Sequence, residues 1–144
     1  MILVALGHEF RRDDGLGPLL LERFPQVKTH HSQGDPLDLM AALDGHSEVV
    51  IVDAMDGDTP GRIHRWIWGE TPPEKFAPRL SSHTLPLFSI LELMEQSKRL
   101  PERVVVYAVE GKEFGWGQGL TPEVESAMPE LARRVEEELA RQPL

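Results

Sequence analysis

Three uninterrupted apolar stretches, Ile2 to Leu6, Val49 to Val52 and Val104 to Val109, constrain this chain more than any other feature. A strand with one wet face alternates polar and apolar residues, whereas these runs do not alternate at all. They read as strands buried on both faces, the pattern of a parallel sheet covered by helices. Val27 to His31 and Arg62 to Trp68 are weaker strand candidates, because their alternation is blurred. Helical patterns fill the gaps at Leu16 to Phe24, Asp35 to Leu43, Thr84 to Lys98 and Pro122 to Arg141. Such alternation of elements with short connections predicts an α/β fold. It is a three-layer, doubly wound, mostly parallel twisted sheet of about five strands, with helices on both faces. At 144 residues the chain, 1-144, is expected to form a single domain.

The last helix is the best specified. Thr121 is placed to cap it, Pro122 suits its first position, and Glu123 and Glu125 complement the positive end of its dipole. Val124, Met128, Leu131, Val135 and Leu139 make its apolar stripe, and Pro129 within that stripe predicts a kink. Gly69 to Pro78, with three prolines, reads as a long surface loop.

Composition then removes whole classes of function. A net charge of −9 with no Lys/Arg cluster argues against nucleic acid and anionic membranes as partners. The longest apolar runs fall far short of the roughly 20 residues of a membrane-spanning helix. The first residues lack the basic flank and cleavage site of a secretory signal, so they are expected to be structural and the protein cytoplasmic. Cysteine is absent, which excludes thiolate nucleophiles and Cys-based metal sites and leaves His and carboxylates as the available metal ligands.

In an open parallel sheet, functional groups gather past the carboxyl ends of the strands. Asp13-Asp14-Gly15 follows the first strand, Asp53 ends the central one, and Ser81-Ser82-His83 opens the Thr84 helix. Each has a plainer reading. Asp13 or Asp14 can cap the next helix, Asp53 can be a turn residue, and His83 can be a partly exposed histidine. Together, the acidic pair Asp13-Asp14, Asp53 and His83 can supply two carboxylates and one imidazole to one ion, a donor set suited to Zn, Ni, Mn or Fe with positions left open. An ion there would polarise a peptide carbonyl and acidify water, so hydrolysis would need no Ser or Cys nucleophile.

Other candidates are weaker. His30 and His31 are adjacent on a strand and point to opposite faces, so one ion cannot readily use both. His46 and His64 read as solvated, while His8, beside the proposed crevice, stays a candidate for contact with substrate or metal. Trp66 and Trp68 share a strand face and read as packing. Gly111 to Gly119 reads as a flexible glycine-rich loop without the Lys-Ser/Thr signature of a phosphate cradle.

Ile2-Leu-Val-Ala-Leu-Gly7, Arg12-Asp13-Asp14-Gly15-Leu16-Gly17, Val49-Val-Ile-Val-Asp53-Ala54, Ser82-His83-Thr84-Leu85 and Gly119-Leu120-Thr121-Pro122-Glu123-Val124 occur in this order. The set resembles the hydrogenase maturation proteases across nearly the whole chain. The resemblance implies an aspartic-type, metal-dependent endopeptidase. Such an enzyme removes the C-terminal extension of a nickel–iron hydrogenase large-subunit precursor once nickel is inserted. It also implies that Asp14, Asp53 and His83 are the metal-binding residues and that nickel is supplied by the precursor. Zinc or cadmium can then occupy the site in isolation. Two departures stand out: His8 replaces the family's usual Asn, and Gln33-Gly34-Asp35-Pro36 replaces an acidic residue followed by a Gly-Gly-Thr turn. They motivate an alternative, a non-catalytic metal- or ligand-binding accessory protein of hydrogenase assembly.

Overall fold

A computed structural model describes residues 1–70 and 87–141 of the chain. The expected helix start at Thr84, most of the Gly69 to Pro78 loop and His83 lie outside the described residues. Among the described residues five strands, β1 (Ile2–Leu6), β2 (Thr29–Ser32), β3 (Glu48–Asp56), β4 (Ile63–Ile67) and β5 (Arg103–Gly111), form one sheet in the order β2-β1-β3-β5-β4. The pairs β1–β2, β1–β3 and β3–β5 are parallel, and among the described residues only the edge strand β4 runs antiparallel, against β5. The doubly wound α/β architecture expected from the apolar runs is the one observed.

Helices α1 (Leu16–Leu21), α2 (Pro36–Leu43), α3 (Leu87–Gln96) and α4 (Pro122–Ala140) cover both faces of the sheet. On one side Leu39 and Leu43 of α2 and Leu87, Ile90, Leu91 and Met94 of α3 pack on Val4, Val49, Ile51 and Val106. On the other, Leu16 and Leu20 of α1 and Val124, Met128, Leu131 and Val135 of α4 pack on Leu3, Val50, Val105 and Tyr107. Strand residues of even and odd number thus serve opposite cores, which is why the runs show no polar alternation. Trp66 is buried and Trp68 stacks on Phe88 of α3 at 5.8 Å between ring centroids, so both pack as expected.

Several local expectations are corrected. The central strand does not stop at Asp53: its register with β5 continues from Asp53↔Ala108 to Asp56↔Gly111. Neither the short 3-10 helix Arg12–Gly15 nor α1 has a side-chain cap, so Asp13 and Asp14 are not capping residues. Thr121 stands at the N-cap of α4 without capping it. Asp35 caps α2 instead, accepting the Leu37 N–H at 2.9 Å.

Candidate active site

The strand order places β2 on one side of β1 and β3 on the other. The chain therefore leaves β1 at a topological switch point, where crevices open in such sheets. Pairing of β1 with β3 runs from Ile2↔Val49 to Ala5↔Val52. Asp53 is the next residue on β3, so it lies where β1 has turned away and β3 still continues along β5. It is fully buried, and its Oδ1 accepts the N–H of Ala54 at 2.8 Å. By strand alternation it shares its side of the sheet with Ile51 and Met55, the side covered by α3. The sequence reading placed His83 just before that helix, outside the described residues.

Asp14 reaches the same rim from the connection after β1. Gly17, one turn further on, packs so closely on the strand ends that a Cβ there would lie 2.8 Å from the Leu6 carbonyl oxygen and 3.4 Å from that of Val52. Gly7 has φ +114, and a Cβ there would meet the Asp14 carbonyl oxygen at 2.1 Å. Only glycine permits this turn. The two glycines pull the Asp13-Asp14 segment down over the ends of β1 and β3. Asp14 is 1% exposed, and its Oδ2 accepts the His8 N–H at 2.8 Å. Asp14 and Asp53 thus both border the end of β1.

Asp13, equally buried, has a different task. Its Oδ1 accepts the Thr121 N–H at 2.7 Å, its Oδ2 accepts the Lys112 and Glu113 N–H groups at 2.7 and 3.0 Å, and the Thr121 hydroxyl donates to it at 2.8 Å. It clamps the loop after β5 and the start of α4 onto the segment carrying Asp14. The Asp13 N–H returns a bond to the Glu113 carbonyl at 3.0 Å.

The histidines separate clearly. His30 meets Asp38 at 2.8 Å, and His31 Nε2 lies 2.7 Å from the Gly7 carbonyl oxygen, so the two do go to different partners. His64 corrects the expectation of a solvated side chain: its Nε2 is 2.7 Å from Glu110 Oε2, and the Glu110 side chain is 1% exposed. His46 is half-buried, and burial pushes its imidazole below its ordinary value. Nothing in the sequence reading flagged Glu110 or the buried Glu138, although a carboxylate ending the apolar run of β5 was a visible signal for the former. Glu138 binds Arg65, Tyr107 and Arg103 at 2.9 Å each. Burial pushes its carboxyl up, but bonds from Arg65 and Tyr107, with the Arg103 charge, hold it below the usual carboxylate value. Among the described residues no group of three or more His, Asp or Glu comes together as a metal site. Nor is any helix there long and apolar enough to cross a membrane.

A hollow of about 700 Å³ opens at this same end of the sheet, lined by Asp56, Thr59, Arg62, Glu110 and Lys112. It lies on the β5 side, past Asp53 along β3.

Comparisons with known proteins agree with this geometry. No curated protein sequence matches the chain. The fold superposes on the hydrogenase-maturating endopeptidase HybD from E. coli with a TM-score of 0.78 at 22% identity, covering 96% of this chain and 91% of that one. It also superposes on the [NiFe] hydrogenase maturation protease HybD from Thermococcus kodakarensis, with a TM-score of 0.76, 25% identity and coverage of 97% and 99%. The endopeptidase HycI from Escherichia coli gives 0.72 at 24% identity, with 97% and 91% covered. A family model described as hydrogenase maturation protease matches residues 33–138, which include Asp53 and His83 but begin after Asp14. The chain belongs to the hydrogenase maturation protease family, a family of processing endopeptidases.

Proposed function

We propose that this chain removes the C-terminal extension of a nickel-loaded hydrogenase large-subunit precursor. In this reading Asp14, Asp53 and His83 grip the nickel that the precursor carries. The observation that carries it is the pair of buried carboxylates, Asp14 and Asp53, bordering the end of β1 at the switch point of a processing-endopeptidase fold. The donor chemistry fits, because carboxylate oxygens with one imidazole suit a divalent ion, and negative charge at low dielectric favours a cation over water. Zinc or cadmium would fit the same donors in isolation. Absence of cysteine agrees with action in the cytoplasm.

When bound, the ion supplies Lewis acidity at the scissile carbonyl. The protein supplies position. The His8 N–H holds Asp14 by one oxygen, and Gly7 keeps the turn free of a side chain. Asp13 fixes the segment from behind. Water is the attacking group in this reading, so neither a Ser nor a Cys nucleophile is needed.

The test is incubation of the purified chain with nickel-loaded and nickel-free precursor. The nickel-loaded form is expected to be shortened, and Asp53→Asn to slow this by at least about 100-fold. An Asp53→Asn chain that processes at the parent rate overturns the assignment. Binding of nickel-loaded precursor without cleavage, under every metal condition, would establish the accessory protein instead.

A further inference from the structure

The loop between β5 and α4 carries a feature that the crevice does not use. Trp116 is 69% exposed and Phe10 43%, which is unusual for side chains of this size. Trp116 is held out by its surroundings. The Gly117 N–H donates to the Phe10 carbonyl at 2.8 Å, and the Arg12 N–H donates to the Gly117 carbonyl at 3.1 Å. The Arg12 side chain binds the Gly119 carbonyl at 2.9 Å. Asp13 closes the same loop from inside. The indole therefore stands on a backbone that is already ordered, so little freedom is lost when something lands on it.

The Arg11 guanidinium lies 3.9 Å from the Trp116 ring centroid, over its face. Among the described residues no carboxylate pairs with it, whereas neighbouring Arg12 is bound to Glu113 at 3.4 Å. On a chain of net charge −9, a cation without a carboxylate, stacked on an exposed aromatic ring, calls for an acidic visitor with apolar surface beside it. The patch also adjoins the crevice through one residue. The His8 ring meets Trp116 edge-on at 5.3 Å, and the His8 N–H holds Asp14.

We propose that Trp116, Arg11 and Phe10 form a docking platform for a segment of the protein substrate that pairs a carboxylate with a neighbouring apolar side chain. The inference rests on the processing reading, since it takes the substrate to be a polypeptide entering the Asp14–Asp53 crevice. The carboxylate lands on Arg11, the apolar side chain on Trp116 and Phe10, and the next residues lead past His8. Aromatic and arginine side chains are the groups that dominate such contacts.

The test compares the parent with Arg11→Glu, Trp116→Ala and Trp116→Phe on the nickel-loaded precursor, measuring binding by interferometry as well as KM and kcat. Arg11→Glu and Trp116→Ala are expected to weaken binding and raise KM at least tenfold with kcat within twofold, and Trp116→Phe to recover most of the loss. Parent affinity falls with added salt, and that of Arg11→Glu does not. Arg11→Glu with parent affinity and KM overturns the platform, even if Asp53→Asn is inactive and the crevice reading stands. Impaired binding in Arg11→Glu alongside an Asp53→Asn chain of parent activity leaves the platform and sinks the crevice assignment. A parent that dimerises in sedimentation, and dissociates on Trp116→Ala, assigns the patch to a second copy and also overturns the proposal.

Discussion

Asp13 and Asp14 are consecutive, carry the same side chain and are equally buried, yet they face different parts of the molecule. Asp13 points inward to the loop after β5, where Lys112, Glu113 and Thr121 donate to both of its oxygens. Asp14 points to the end of β1, taking the His8 N–H on the rim that Asp53 shares. Burial by itself therefore says little about the role of a carboxylate. The donors that surround it, and the part of the fold they belong to, separate a clamp from a candidate ligand.

That contrast can be broken by mutation. Asp13→Ala leaves the buried Thr121 N–H and the partly exposed Lys112 and Glu113 N–H groups without their acceptor and is expected to cost about 3 kcal/mol in urea unfolding. Asp14→Asn keeps an oxygen for His8 and is expected to stay within about 1 kcal/mol of the parent. Equal losses for the two would erase the distinction between them.

Glu138, at the far side of the sheet, is a second saturated carboxylate and sharpens the comparison. Glu138→Gln is expected to cost about 2 kcal/mol at neutral pH, since bonds to charged partners are the stronger ones. Its folded pKa lies below the ordinary 4.5. Its contribution is therefore complete above that value and is lost as pH falls through the lower, folded one. Urea titrations at pH 7 and near pH 3 are expected to show parent and Glu138→Gln converging in acid. A gap that stays constant across that range would contradict the assignment.

The smallest effect belongs to the hydroxyl within the clamp. Thr121→Val removes one of the donors to Asp13 while the Thr121 N–H remains, and is expected to lower stability by about 1 kcal/mol. A loss as large as that of Asp13→Ala would mean that Thr121, rather than the carboxylate, organises the loop.

The strands were legible because β1, β3 and β5 are buried on both faces and write that burial directly as unbroken apolar runs. The antiparallel edge strand β4 was blurred because its partly exposed residues mix both cores with solvent. Asp53 was read correctly as the carboxylate of the central strand but wrongly as its last residue. The strand length is set by pairing with β5, a long-range partner that local sequence does not carry. The capping reading of Asp13 and Thr121 failed for a related reason. Each residue type does cap helices, but here the two bind one another across 108 positions. Trp116 and Arg11 were passed over inside segments read for glycine and aspartate, and their stacking exists only once the loop has folded back. His83 lies outside the described residues, so its place in the trio rests on sequence.

The central claim is that Asp14 and Asp53 act on one ion as a unit, and a double-mutant cycle in precursor processing tests it most directly. Rates would be measured for the parent, Asp14→Asn, Asp53→Asn and the double variant on the nickel-loaded precursor. Groups that serve a single function are strongly non-additive, so the double variant is predicted to be no slower than the worse single one. Losses that multiply would show that the two carboxylates act separately, and would contradict a shared site.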